Sequence, residues 1–185
     1  QSHENDNTLI EMSNLIRSNL ELMSKSYISL TEEMEFVDNY VSIQQKLMGN
    51  SVHYTKDIRC DINNVLIPAM IVQILVENSF KHGLKAVEGE KMLTITICQE
   101  NMITYITVED NGPGFDCRRQ SISSTSTGLK VVRQIISLTN SNNKAKMRFG
   151  IANITSSEGT ITGCKATLTI PNNIKYINNK TITSK

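Results

Sequence analysis

Three short segments carry residue types that could act on a charged ligand. The first is Glu77-Asn78-Ser79-Phe80-Lys81-His82. At helical spacing Asn78, Lys81 and His82 share a side, because residues three and four apart are neighbours on a helix. An amide oxygen such as that of Asn78 can ligate Mg2+, which prefers hard oxygen ligands and leaves its other positions to water and phosphate. Lys81 offers a point charge to phosphate. The second segment is Asp110-Asn111-Gly112-Pro113-Gly114. Two glycines let a flat ligand approach the backbone closely. A carboxylate beside them can accept hydrogen bonds from an exocyclic amine such as that of adenine. The third is a Ser/Thr-rich stretch ending in Thr127-Gly128-Leu129-Lys130, directly ahead of an apolar helical pattern. Backbone N–H groups at a helix N-terminus, with hydroxyls beside them, make an anion site. Taken singly, each segment has a plainer reading: a buried helix emerging into solvent, a Gly-Pro turn, a linker with a helix cap. Their order along the chain favours one composite site.

The surrounding pattern supplies elements to position them. Leu9, Met12, Ile16, Leu20, Met23 and Tyr27 recur every three or four residues and predict a first helix. Ser29-Leu30-Thr31-Glu32 matches a capping box, so a second helix is predicted from about Thr31 to Met48, ended by Gly49-Asn50. Its apolar face is wide, with stripes through Met34, Val37, Val41 and Met48 and through Phe36, Tyr40, Ile43 and Leu47. Ser51–Cys60 reads as a strand. A helix is predicted to begin near Pro68, run apolar through Ala69–His82, and stop at Gly83. Leu93–Gln99 and Ile103–Glu109 alternate as a hairpin with Glu100-Asn101 at its turn. A third core helix follows from Gly128-Leu129 to about Thr139. Lys146–Ile154 and Lys165–Ile170 read as strands, with turns near Glu158-Gly159 and Gly163, and the tail beyond Pro171 is expected to fray. Helices interleaved with hairpin strands argue for an α+β two-layer sandwich, a mixed sheet covered on one face by helices. Rossmann and P-loop glycine motifs are absent from the sequence.

Composition narrows the classes. The chain has 185 residues, 39% of them hydrophobic, enough for one packed core and too many for a disordered chain. With 19 basic and 18 acidic residues the net charge is +1, which argues against a nucleic-acid-wrapping module. No apolar run approaches the roughly 18–20 residues that span a bilayer. Gln1–Asn7 is too polar for a signal peptide. Cys60, Cys98, Cys117 and Cys164 have no C-x-x-C spacing, so a zinc site is not expected. Three of them, Cys60, Cys98 and Cys164, fall in strand-like runs and read as reduced, small core residues.

The segments together resemble the LytS/YehU-type sensor histidine kinases. Ile67–Gly83 looks like their N box, Val108–Asp116 like their G1 box, and Thr127–Arg133 like their G2 box; Leu30–Tyr40 resembles the helix that precedes their ATPase domain. The likeness covers about residues 9–171. It implies the Bergerat ATP-binding sandwich, with two helices ahead of it. Carried over, Asn78 would ligate Mg2+, with Lys81 and His82 near the phosphates. Asp110 would bind the adenine amine, and Gly112 and Gly114 would shape its pocket. Residues 121–128, with Ser126, Thr127 and Gly128, would form a lid over the triphosphate, followed by Leu129 and by Lys130, which adds charge there. Glu77 would be the general base or bind a Mg2+ water, and Lys81 would assist catalysis. The sequence departs from the pattern at Ser126, where a glycine is usual, at Val131, where Asn is frequent, and at Ile74, which stands where relatives of the wider superfamily carry the carboxylate.

The resemblance implies an ATP- and Mg2+-dependent protein-histidine kinase that feeds a response-regulator receiver domain. Its substrate histidine lies in an Asn-Pro-His-Phe motif, and none of His3, His53 or His82 has that context. The expectation is therefore a catalytic fragment cut downstream of the phosphoacceptor. Residues 1–49 would be the remnant of a dimerisation and phosphotransfer stalk, 50–172 the ATP-binding domain and 173–185 a polar tail. The intact protein would be a homodimer, tethered to the inner membrane by upstream segments, with this domain in the cytoplasm and no nucleic-acid partner. The alternative is a docking or dimerisation module of the same fold that binds nucleotide poorly and has no kinase activity.

Overall fold

The computed structural model describes residues 25–49, 51–115 and 127–176. The predicted first helix lies outside the described residues except for its last member, Tyr27. That residue sits in a short strand instead, β1 (Tyr27–Ser29). Helix α1 (Leu30–Leu47) follows at once. Ser29 is its N-cap: the Ser29 Oγ accepts from the Glu32 N–H at 3.1 Å, as the capping sequence predicts. Gly49, at φ +68°, follows its C-terminal end. Then come β2 (Val52–Ile58), β3 (Leu66–Pro68) and helix α2 (Ile71–Asn78). Cys60 lies beyond the end of β2, so its strand assignment does not hold; Cys98 and Cys164 do lie in strands.

The predicted helix over 69–82 is divided. Pro68 closes β3, and Met70, with φ +66°, stands ahead of α2. After Asn78 the chain widens into a π-helical turn, Ser79–Gly83, then a 3-10 turn, Leu84–Ala86. Gly83 has φ −88° and so is not a left-handed helix stop. Strands β4 (Lys91–Glu100) and β5 (Ile103–Asp110), helix α3 (Thr127–Ser141), and strands β6 (Arg148–Thr155) and β7 (Ile161–Pro171) complete the order.

β1 and β3 form a two-stranded antiparallel ribbon. The other five strands make a mixed sheet in the order β2-β4-β5-β7-β6, parallel between β2 and β4 and antiparallel elsewhere. This is the α+β sandwich that the pattern predicts. Alternation sends Leu93, Ile95 and Ile97 of β4, Ile106 and Val108 of β5, and Leu168 and Ile170 of β7 into one core. The same core takes Met34, Val37 and Val41 from α1, Val72, Leu75 and Val76 from α2, and Leu129, Val132 and Ile136 from α3. The opposite face carries Thr94, Thr96, Thr107 and Thr167, and Lys165 pairs there with Glu109 across β7 and β5 at 2.7 Å. Among the described residues, no helix is long and apolar enough to cross a membrane.

Two further expectations are revised. Gly163 is inside β7 rather than in a turn. The first residues of the tail are tied down: the Tyr176 hydroxyl donates to the Leu66 carbonyl at 3.0 Å, and its ring lies 5.1 Å from that of Tyr27. Residues 177–185 lie outside the described residues.

The β4–β5 hairpin turns one residue later than predicted. Asn101 (φ +51°) and Met102 (φ +62°) are its two central residues, both left-handed, because Glu100 pairs with Ile103. A tight two-residue turn of this hand suits the sheet twist and favours Asn-Gly. Met102, 72% exposed, has little packing to offset its positive φ. Met102→Gly is expected to stabilise the chain by about 0.5–1 kcal/mol, raising Tm by about 1–4 °C in a thermal melt. An unchanged or lower Tm would contradict that reading of the turn.

Candidate functional site

Position 110 falls in phase with Ile106 and Val108 on the core side of β5, at the strand's last residue. A carboxylate is therefore delivered to the edge of the apolar core, where Asp110 is only 6% exposed. Two groups satisfy it. The Gly112 N–H donates to its Oδ1 at 3.0 Å, and the Ser79 hydroxyl hydrogen-bonds its carboxylate. Burial pushes its pKa above the ordinary 3.8, and these two bonds pull the other way.

Glycines make room for this carboxylate. A Cβ on Gly83 would stand 2.3 Å from the Asp110 Oδ1. One on Gly112 would meet the Gly83 Cα at 2.4 Å, and one on Gly163 would meet the Asp110 carbonyl oxygen at 2.1 Å. The π turn, the loop after β5 and strand β7 thus close on one residue. Gly114 has a different neighbourhood. At φ +84°, a Cβ there would stand 2.4 Å from the Ile161 Cγ2 and 2.8 Å from the Asn153 Oδ1. The loop is stitched at both ends. The Asn111 Oδ1 accepts from the Met92 N–H at 2.8 Å, and the Asn153 Oδ1 accepts from the Phe115 N–H at 2.5 Å.

The second half of the site is one residue away. Asn78, next to Ser79, donates from Nδ2 to the Ile74 carbonyl at 2.7 Å, which leaves Oδ1 as the acceptor available to a cation. Its amide lies against the first turn of α3: a Cβ on Gly128 would stand 2.8 Å from the Asn78 Nδ2. The structure therefore brings Asn78 to Gly128 and Asp110 to Gly112, and the adjacent residues Asn78 and Ser79 join the two pairs. Leu129 packs its side chain into the core and could meet a ligand only through its backbone, whereas Lys130 is exposed. Ser126, the side chain of Thr127 and the predicted lid up to that point lie outside the described residues, as does Cys117.

Helical spacing places Lys81 and His82 beside Asn78, but the π turn alters that register. Both are exposed. The Lys81 Nζ donates to the Glu77 Oε2 at 3.2 Å, and the Glu77 Oε1 accepts from the Gln73 Nε2 at 3.3 Å. Desolvation of the ring, and then the Lys81 charge, hold the His82 imidazole below its ordinary 6.5. Behind Asp110, burial and then the aspartate's charge push the Cys164 thiol up to about 12, which keeps it a protonated packing group. Among the described residues there is no group of three His, Cys, Asp or Glu side chains that could hold a metal ion. A cation at Asn78 would have to complete its shell from ligand oxygens and water.

Ser79, Gly83, Gly163 and Asn153 escaped sequence reasoning as site residues. The parity of β5 was the available signal: a carboxylate in phase with two buried apolar residues calls for donors nearby.

Residues 62–174 match the family model of the histidine kinase-, DNA gyrase B- and HSP90-like ATPases, and residues 1–52 match that of the histidine kinases. The sensor protein LytS of Staphylococcus epidermidis is 32% identical over 162 residues, which cover 84% of this chain and 27% of that protein. The chain thus spans about a quarter of the length of this relative. Among solved structures, the nucleotide-free catalytic domain of the histidine kinase ThkA aligns with a TM-score of 0.55 at 17% identity, covering 79% of this chain and 94% of that one. ThkA in complex with the response regulator protein TrrA aligns with a TM-score of 0.53 at 18% identity, covering 90% and 49%. These likenesses place the sandwich among histidine kinase catalytic folds.

Because ionisation of Asp110 is opposed by burial, its folded pKa exceeds its unfolded one. Its contribution to stability is complete below pH 3.8 and is lost as pH rises through the raised folded value. Carboxyl-detected NMR titration should place Asp110 above 3.8, and Ser79→Ala should move it further up by removing a donor to the carboxylate. A midpoint below 3.8, or a downward move in Ser79→Ala, would contradict this electrostatic picture.

Proposed function

The chain belongs to the histidine kinase-, DNA gyrase B- and HSP90-like ATPases, and from that premise we propose that it is the Mg-ATP-binding catalytic portion of a two-component sensor histidine kinase. The observation that carries this reading is the pairing of the two half-sites through Asn78 and Ser79. A buried carboxylate stands at one end, and an amide against a helix N-terminus stands at the other.

Each residue has a role that its surroundings allow. Asp110 accepts from the exocyclic amine of adenine, held in place by Ser79 and the Gly112 N–H. A donor–acceptor pair to a buried, charged group discriminates strongly against ligands that lack the amine. Gly83 and Gly112 leave the space beside that carboxylate free of side chains. The Asn78 Oδ1 would hold a Mg2+ ion, which would neutralise charge on the phosphates. The N–H groups at the start of α3, beside Asn78, would bind the same anion. Lys81 leaves Glu77 to pair with phosphate, which frees the Glu77 carboxylate to take the proton of the attacking nucleophile. Phosphoryl transfer rests mostly on such positioning and charge neutralisation. The γ-phosphoryl would pass to a histidine on an upstream helix and then to a response-regulator aspartate. A neighbour solved with a response regulator supports that kind of partner. Dimerisation, with residues 1–49 as part of its stalk, and membrane tethering belong to the same reading.

Calorimetric titration tests the reading. The chain is expected to bind ATP in the presence of Mg2+, with affinity reduced by EDTA. Asp110→Asn is expected to weaken binding by about 10–100-fold, the range for a bond to a charged buried group. Equal affinity in that variant would remove Asp110 from the site. No binding at millimolar nucleotide would overturn the assignment in favour of a docking module.

A further inference from the structure

We infer that Glu33 is a positioning residue for the nucleotide site: from the first turn of α1 it holds the opening of α2, the helix whose far end supplies Asn78 and Ser79. The inference rests on the Mg-ATP reading above.

Glu33 is 0% exposed, and its carboxylate is engaged by backbone donors. Its Oε2 accepts from the Met70 N–H at 2.8 Å, and its Oε1 accepts from the N–H groups of Val72 at 2.9 Å and Gln73 at 3.0 Å. These are the opening N–H groups of α2, which a helix cannot satisfy internally. The local sequence offers no substitute. Met70, the N-cap residue, makes no side-chain cap and sits at φ +66°, a conformation that is costly for a residue with a long side chain. The cap therefore comes from another helix, and it also holds the strained residue in place.

The ribbon explains how Glu33 arrives there. β1 runs directly into α1, and β3 leads through Ala69 into Met70. Antiparallel pairing of Tyr27–Ser29 with Leu66–Pro68 sets the starts of α1 and α2 at opposite ends of a ribbon only three residues long, a span short enough for the Glu33 side chain to reach Met70. A second grip follows one face of α1 toward the site. Tyr40, seven residues beyond Glu33, meets Phe80 edge-to-face with ring centroids 5.7 Å apart. Phe80 is the neighbour of Ser79. α1 thus holds α2 at its opening and the π turn just past its end. A polar chain runs from α1 along α2 and past its end: Glu33 to the Gln73 N–H, the Gln73 Nε2 to Glu77, and Glu77 to Lys81.

α2 has only eight residues, about two turns. Without its cap three donors are left unpaired at its start, and a helix this short has no interior to absorb a frayed turn. The Asn78 amide and the Ser79 hydroxyl then lose the platform that sets them against Gly128 and Asp110. The N-terminal segment and the nucleotide site are coupled through this carboxylate, so displacement of α1 should be felt as a change in ATP affinity.

The test uses the 185-residue chain and its variants Glu33→Gln, Glu33→Asp and Val37→Ala. Val37, buried one turn beyond Glu33, supplies none of the cap's hydrogen bonds and serves as a control for loss of stability. Measurements are made at pH 8, above the value of about 7 to which burial pushes the Glu33 carboxyl, and below each variant's melting transition by circular dichroism. Mg-ATP affinity is read by calorimetry, and exchange of the backbone amides of residues 70–79 by mass spectrometry. Glu33→Gln is expected to lose at least tenfold in ATP affinity and to lose protection across 70–79. Glu33→Asp should fall between it and the parent, and Val37→Ala should keep parental affinity. Parental affinity in Glu33→Gln overturns the inference, as does an equal loss in Val37→Ala. If Glu33→Gln does not fold, parental affinity in Glu33→Asp overturns it. If the parent chain binds no ATP, the functional reading fails separately, and unchanged amide protection in the Glu33 variants then overturns this inference.

Discussion

Burying a carboxylate costs several kcal/mol unless donors meet it, because the low-dielectric interior replaces its hydration poorly. Asp110 carries that cost at the end of a core strand, and much of the neighbouring architecture answers it. Ser79 and the Gly112 N–H supply donors, while Gly83, Gly112 and Gly163 give up side chains so that three elements can approach. Such an arrangement contributes little to stability compared with an apolar residue in its place. On the proposed nucleotide reading it serves as a preorganised acceptor, with its hydrogen bonds made within the chain and backbone close on several sides.

The same constraint makes the π turn understandable. α2 must end with Asn78 against Gly128 while the next residue turns Ser79 to Asp110 and Gly83 passes beside it. A regular helix would carry the chain on in one register. Widening the turn over Ser79–Gly83 brings the glycine to the carboxylate and leaves Lys81 and His82 at the surface. At the other end of α2 the cap comes from α1, so the site is framed by a helix from the segment that matches a separate family model.

Much of this was legible in the residues. The cap at Ser29, the extent of α1, the alternation of β4 and β5, and the start of α3 follow from local chemistry and period, and local signals suffice for them. The three chemical segments were legible because Asn, Asp and paired glycines are poor packing residues whose use needs a reason. What escaped was set by tertiary neighbours. Gly83 and Gly163 read as a helix stop and a turn, yet their lack of a Cβ matters because Asp110 is there. Tyr27 fits a helical stripe, but pairing with Pro68 draws it into a strand. The hairpin turn shifted by one residue because the cross-strand register, rather than the preference of Met102, decides which residues turn. Glu33 drew no reading from the sequence, because nothing local distinguishes a solvated glutamate from one that caps a helix 37 residues later.

Amide mapping by two-dimensional NMR tests the central claim most directly, since it reports where a nucleotide sits without depending on turnover. On titration with a non-hydrolysable Mg-ATP analogue, the account predicts shifts at Ser79, Gly83, Asn111 and Gly112 together with Gly128, Leu129 and Lys130. Adenosine alone should move the group around Asp110 and leave Gly128 in place. Shifts confined to the threonine-lined outer face, at Thr96, Thr107 and Thr167, with the Asp110 neighbourhood still, would contradict it.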